Sequence, residues 1–418
     1  MKTHPIHQVA FNSEYRELLS ENFKKAFGKS VTPNIYYGQE IPLSIGEIEE
    51  PEGGSILERC ETLGENLATF PQVHKQGDGI RSFTGILLYL MNNAYCTFLI
   101  DEPESFLHPP QANIIGRMIG ELLSNDQQAF LSTHSQDLIK GLLDICPQRV
   151  KVVRITRIGD SNQFSVLENE EFSEIWNDPL LKHSEIMSSL FSRSTVLCEA
   201  DADCKMYSII LSHLKKRAGQ YSETLFIHCG GKDRMPKIIP ALKSLNVDFR
   251  VVPDIDVLNN ESVLKSLVES CGGTWEGDIS SNYNIVNSAL SGGRDRIRRV
   301  DTQTFINELL GEVTDIYISD DDLKKIRAQL KVTNKWTVVK ESGISAIPVG
   351  DATRAFSTLN AELQKIGIFV VPCGELEKFI REVGGHGPSW VNDALSQYPS
   401  LDADQYTEIK EFVSLWQL

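Results

Sequence analysis

"TVLCEADADCKMY", residues 195–207, changes periodicity at an acid. A short apolar run, the pattern of a buried strand, ends in Glu199, and "DCKMYSIILSHLKKR" continues with helical spacing. Glu199 therefore closes a strand, and Asp203, four residues on, opens a helix. "VVPDIDV", residues 251–257, supplies Asp254 and Asp256 at the end of another strand. Residues two apart in a strand share a face, so this Asp-x-Asp is expected to set two carboxylates on one patch, with Glu199 joining from the neighbouring strand end. Hard oxygen ligands without His or Cys suit Mg2+ or Mn2+. Carboxylates so gathered repel one another unless a cation or protons intervene. The plainer alternative, a helix-capping Asp-x-Asp and a surface Glu199, explains each acid singly but not the ordered set.

The surrounding chain alternates helix and strand. Upstream, helices "RSFTGILLYLMNN", "QANIIGRMIGELLS" and "SQDLIKGLLD" each precede a strand, "CTFLID", "QAFLSTH" and "RVKVVRIT". Downstream come strands "TLFIHCGG" and "FRVVPDID" with helix "MPKIIPALKSL" between them, then helix "ATRAFSTLNAELQKIG", strand "IFVVPC" and helix "ELEKFIREV". This is the rhythm of α/β folds with parallel sheets covered on both faces. Residues 1 to about 70 read as helices and loops. A polar helical passage over 170–192 separates the two series, so the expected domains are 1–190 and 191–418.

Composition sets outer bounds. At 418 residues, with 41% hydrophobic and 23% charged residues, the chain is ordinary globular material with room for two or three cores. No apolar run reaches the ~20 residues of a membrane span. The N-terminus has no signal-peptide core, and eight scattered cysteines without a C-x-x-C pair point to reduced thiols and a cytoplasmic setting. A net charge of −16 disfavours bulk electrostatic binding of nucleic acid but leaves room for local basic groups. Those are Arg294, Arg296, Arg298 and Arg299 in "GGRDRIRRV", Lys215, Lys216 and Arg217 in "LKKR", and Lys232 in "CGGKDRM". A solvated helix face is the plain alternative for both runs.

A second constellation lies in "TFLIDEPESFLHPPQ", residues 97–111. Asp101 and Glu102 end a strand, where open α/β sheets place ligands, and His134 in "FLSTHS" ends the next. "GDGIRSF", residues 77–83, puts Gly79, Ser82 and an arginine at a helix start, where N–H groups favour phosphate. Such a site needs a glycine-rich loop, G-x-x-x-x-G-K-[ST], with a strand before it. The only "GKS", Gly28-Lys29-Ser30, has Phe23 where the first glycine belongs and follows helical spacing, so it reads as a helix stop.

"DEPESFLHPPQ" and "STHS" resemble the ABC-type ATPase heads of the RecF, SMC and OLD (overcoming lysogenization defect) group. That resemblance implies that Asp101 binds magnesium, Glu102 orients water, His134 contacts the γ-phosphate, and "GDGIRSF" acts as a signature motif across a dimer. The departure is the missing phosphate loop. A partner supplies it, or it lies upstream of Met1, or the head is a relic kept for dimerisation; ATP would bind only with such a loop. "TVLCEADAD" resembles the TOPRIM signature, with Ala200 where a glycine is usual, and "SSLFSRSTVLCEADAD", "CGGKDRM" and "IGIFVVPCGELEKFI" extend the likeness to OLD proteins, including Gabija-type nuclease subunits. It implies Glu377 as a further metal ligand and an essential lysine, for which Lys340 in "WTVVKESGISAI" is the candidate and Lys335 the competitor.

The expected fold is thus a partial ABC-type ATPase head followed by a TOPRIM Rossmann-like domain. The expected function is a Mg2+- or Mn2+-dependent DNA endonuclease of antiphage defence, at least dimeric, using Glu199, Asp203, Asp254, Asp256, Lys340 and Glu377. The alternative is a regulatory subunit whose head completes an ATP site with a P-loop-bearing or defence-system partner.

Overall fold

Asn12 and Gly28 bracket the first long helix, Ser13–Phe27. The Asn12 side chain accepts the N–H groups of Glu14 and Tyr15, and Gly28, in the left-handed conformation, donates its N–H to the Lys24 carbonyl at 2.8 Å. This is how a helix ends, which is why "GKS" here forms no phosphate loop. The computed structural model describes residues 4–36, 40–49, 51–92, 94–167, 185–291, 299–311, 317–330 and 335–418, and the chain divides into two units, Met1–Lys182 and His183–Leu418.

In the first unit, β1 (Val31–Pro33) and β2 (Leu43–Ile45) pair antiparallel where the sequence pattern predicts only helices and loops. β3 (Thr97–Asp101) and β4 (Gln128–Ser132) run parallel, joined through helix Pro109–Leu122, and Asp101 lies opposite Ser132. Helices Asp78–Leu90, Pro109–Leu122 and Gln136–Ile145 supply the apolar stripes of a core that includes Phe83, Leu87, Ile115, Ile119 and Leu138. β5 (Val152–Ile158), expected to continue a parallel sheet, instead turns back at Gly159-Asp160 and pairs antiparallel with β6 (Ser161–Leu167). Gly159, with φ +60°, permits the two-residue turn that redirects the chain.

The second unit is built on a parallel sheet of order β8-β7-β9, with β7 spanning Ser194–Cys198, β8 Thr224–His228 and β9 Asp248–Val252. "IFVVPC" extends it. Phe369 donates to the Val251 carbonyl at 2.8 Å, and Val371 to that of Pro253 at 3.0 Å. The predicted helix "ELEKFIREV" is only a 3₁₀ turn, Leu376–Phe379, because left-handed Gly374 and extended Glu375 precede it. Its apolar residues still reach the core. Helix Asp201–Arg217 is held by the C-terminal helix Thr407–Ser414, with Tyr207 meeting Trp416 edge-to-face at 5.4 Å between ring centres. No helix among the described residues is long and apolar enough to cross a membrane.

Candidate active site

The sheet of the second unit delivers its acids from loop turns just past the strand ends. The Glu199 carbonyl, one residue beyond β7, accepts the N–H groups of Gly230 at 3.0 Å and Gly231 at 3.1 Å. Both glycines have positive φ, +71° and +117°, which is what allows two successive amides to turn toward one oxygen. The Glu199 side chain reaches across the sheet, where its Oε1 accepts the Asp254 N–H at 3.0 Å. Asp203, in the first turn of the helix, accepts the Ala200 N–H at 2.9 Å. Asp254 and Asp256 do not lie in a strand. Pro253, which has no N–H to give, follows the last residue of β9; Asp254 then caps the 3₁₀ turn Ile255–Asn259, which contains Asp256.

That turn separates their surroundings. Asp254 lines an open groove of about 480 Å³ together with Glu199, Asp201, Asp203, Glu375, Glu377, His228 and His386. Asp256 does not line it; Lys232 Nζ meets its Oδ1 at 2.6 Å and Lys340 Nζ its Oδ2 at 3.3 Å. Lys340 also stands 4.0 Å from Asp254 and 3.6 Å from Glu375, so it sits at the junction of the acids. Lys335 is directed elsewhere, to the Ala289 carbonyl. Gly374 seats this arrangement. Its φ is +117°, and a Cβ there would overlap the Lys340 carbonyl, so only glycine lets the loop carrying Glu375 and Glu377 lie against the lysine's helix.

Six carboxylates and no lysine or arginine line the groove. Burial pushes the Glu199 carboxyl up to about 7; the Asp254 N–H opposes this, and Asp256 and Asp203 reinforce it. Asp203 rises to about 6 through burial, with Glu377 and Glu375 adding repulsion. Asp254 is raised well above the carboxylate range by burial and by Glu199 and Asp203, against the pull of Lys340. Burial works against the Lys340 ammonium, but Asp256 and Asp254 outweigh it and hold its pKa above the ordinary lysine value. Tyr207, one turn after Asp203 and fully buried, keeps a hydroxyl with no hydrogen-bond partner within the field of Asp203 and Asp254. Three carboxyls raised chiefly by burial, Glu199, Asp203 and Asp254, gathered in one groove are a donor set that fits hard divalent cations.

In the first unit, Ser132 Oγ donates to Asp101, Glu102 adopts a left-handed φ of +43°, and His134 Nε2 lies 3.7 Å from Glu102 Oε1. Glu104, which sequence reasoning passed over, ties the two strand ends by accepting from Thr133 Oγ1 at 2.6 Å and from the His134 N–H at 3.0 Å. Gly79, in the first turn of its helix, lies against the Phe106 backbone, and Ser82 is half-buried on the same helix.

Among the basic candidates, Lys232 is committed to Asp256 and Arg217 to Asp402, and Lys215 donates to the Leu418 carbonyl. Lys216 and Arg299 are exposed, whereas Arg294, Arg296 and Arg298 lie outside the described residues. Glu375 and His386 join the site without having been singled out. Glu375 is legible as the first acid of "GELE"; His386, in a glycine loop, carries no pattern.

Residues 23–140 match the model of an AAA domain described as a putative AbiEii toxin of a type IV toxin–antitoxin system. Residues 190–256 match the TOPRIM domain of overcoming-lysogenization-defect-like proteins. The Old nuclease of Escherichia phage P2 is 21% identical over 206 residues, 44% of this chain and 34% of that protein. An uncharacterized protein of Methanocaldococcus jannaschii is 37% identical over 71 residues, 16% of this chain and 60% of its own length. The chain thus spans about a third of the phage protein's length. A solved structure from work on ATP-driven dimerization and DNA-stimulated activation of SMC ATPases aligns with a TM-score of 0.28 at 13% identity, over 41% of this chain and 92% of that one.

Proposed function

Since the chain belongs to the OLD family of ATPase–TOPRIM proteins, we propose that it is a Mg2+- or Mn2+-dependent DNA endonuclease. One observation carries this reading: Glu199, Asp203, Asp254, Glu375 and Glu377 line a single groove with Lys340 at the junction of its acids. Glu199, Asp203, Asp254 and Glu377 would hold the cations. When bound, these supply an acidified water and charge compensation for the scissile phosphate. The chain's own residues do the positioning. The Asp254 N–H aims Glu199, the glycine pair fixes the Glu199 backbone, and Lys340 offers a positive charge to the phosphate as charge develops on it. Lys232 engages Asp256 and offsets part of the repulsion that this acid adds at Glu199.

The test is plasmid nicking by the purified chain with Mg2+ or Mn2+ against a chelator control, repeated with Glu199→Ala and Asp254→Ala. Cleavage that persists in the chelator, or undiminished in either variant, overturns the reading. We place the activity in antiphage defence, with the ATPase-like unit dimerising and gating the nuclease. Light scattering at micromolar concentration should give a multiple of 46.8 kDa.

A second reading is favoured by Asp101, Glu102 and His134 coming together with no phosphate loop among the described residues: the first unit completes an ATP site with a P-loop-bearing partner. This chain alone should then turn over ATP negligibly, a P-loop partner should restore turnover, and Glu102→Gln should remove it again.

A further inference from the structure

We propose that His386 makes one end of the groove selective for a transition-metal divalent cation such as Mn2+ over Mg2+, by joining Glu375 and Glu377 in a mixed imidazole–carboxylate subsite. The inference rests on the metal-nuclease reading and adds the identity of the preferred ion. One ligand atom from each of the three residues lies within 4.8 Å of the others, close enough to close around one ion. His386 Nδ1 stands 3.8 Å from Glu377 Oε1. The same oxygen accepts the Gly387 N–H at 2.7 Å, which orients the carboxylate much as outer-shell donors orient metal ligands.

Glu375 has two lysine neighbours, Lys340 at 3.6 Å and Lys378 at 3.5 Å, both beyond a normal hydrogen bond, so its oxygens keep lone pairs to offer. Neither lysine lines the groove. The imidazole decides the ion. An all-oxygen set accepts Mg2+ and Mn2+ alike, whereas imidazole nitrogen binds first-row transition metals and is a poor ligand for Mg2+. His386 is at the mouth, with its side chain 75% exposed, so it can turn onto an ion without disturbing the core.

The experiment uses the full chain with Mn2+ alone as the probe, read by pulsed electron paramagnetic resonance and by titration calorimetry. The wild type should show nitrogen hyperfine coupling to bound Mn2+. His386→Gln should abolish the coupling, weaken Mn2+ binding by about tenfold or more, and leave Mg2+ binding within about twofold. His228→Ala, which removes the other imidazole lining the groove, should keep the coupling. A melting curve of His386→Gln matching the wild type excludes misfolding. Coupling that survives in His386→Gln, or that is lost in His228→Ala instead, overturns the proposal, as does an unchanged ratio of Mn2+ to Mg2+ affinity, which leaves Glu377 as only a cap for helix Gly387–Gln397. Failure of the nuclease reading shows separately, as metal-independent or absent nicking by the wild type.

Discussion

β7 is buried at every position, whereas β3, a strand of the same length in the first unit, leaves Leu99 82% exposed, and its partner β4 leaves Phe130 54% exposed. The antiparallel hairpin repeats the pattern, with Val153 opposite Val166 and Ile155 opposite Phe164, all exposed on one face. Parallel sheets are ordinarily covered on both faces, because their helical crossovers lie there. By that standard the second unit has its layers and the first lacks one. The chemistry follows the same division. Acids beyond β7 and β9 converge in a groove with a lysine at hand, while Asp101 and Ser132 share the uncovered face with Leu99 and Phe130.

If that contrast is functional, the largest effect lies in the second unit. Glu199→Ala or Asp254→Ala should reduce plasmid nicking by about a hundredfold or more, beyond what loss of an outer-shell group costs. Each should be neutral or slightly stabilising in chelator, where removing one acid relieves repulsion, and lose stability relative to wild type with Mn2+. Equal melting shifts with and without the ion would make these acids structural caps and erase the distinction between the units.

Charge placed on matched strand positions tests the covering directly. Leu197→Lys puts an unpaired charge into a fully buried strand and should unfold the second unit. Leu99→Lys should change the stability little, within about ±0.5 kcal/mol for an exposed position. A Leu99→Lys variant as unstable as Leu197→Lys would mean that the apolar face is covered in solution.

Gly374→Ala should act between these extremes. It forces a side chain into a left-handed backbone position against the Lys340 carbonyl, at a cost of about 1 kcal/mol or more. Nicking should fall further than stability, since the displaced loop carries Glu375 and Glu377. Cleavage and melting temperature both at the wild-type level would break the claim that Gly374 seats the lysine.

What could be read in the sequence was local in chain and period. The strand-then-acid pattern at Glu199 and the glycine pair at 230–231 each lie within a short window and form as read, and the helix–strand alternation does so except at β5 and "ELEKFIREV". Long-range geometry was less visible. Asp254 and Asp256 were read as a strand pair, but Pro253 ends the ladder between them and β9. β5 matched a parallel strand until Gly159-Asp160, a two-residue turn signal between alternating runs, turned it into a hairpin. The place of Glu375 depends on the conformation of Gly374, which no periodicity encodes, and His386 arrives from a loop between two short elements.

The smallest effect is also the most specific. In metal-free protein Glu199 has its carboxyl raised from 4.5 to about 7, and Asp203 from 3.8 to about 6, both chiefly by burial. Between the unfolded and folded values the native state therefore binds more protons than the unfolded chain, so stability must fall as pH rises through that window. The contribution is complete below about pH 4 and is lost by about pH 7 to 8. In chelator, then, the second unit should melt higher at pH 5 than at pH 8. Exposed acids elsewhere pull the other way, because Glu47 and Glu58 are held below their ordinary values and favour higher pH. The informative quantity is accordingly the difference between wild type and Glu199→Gln, which keeps the side chain's shape and removes its titration. That difference should shrink the slope between pH 5 and 8, and saturating Mn2+ should reverse the slope by replacing protons with a cation at the same oxygens. A Glu199→Gln slope identical to wild type would show that Glu199 does not titrate in this window, and with it would go the picture of a groove whose acids wait, protonated, for a metal.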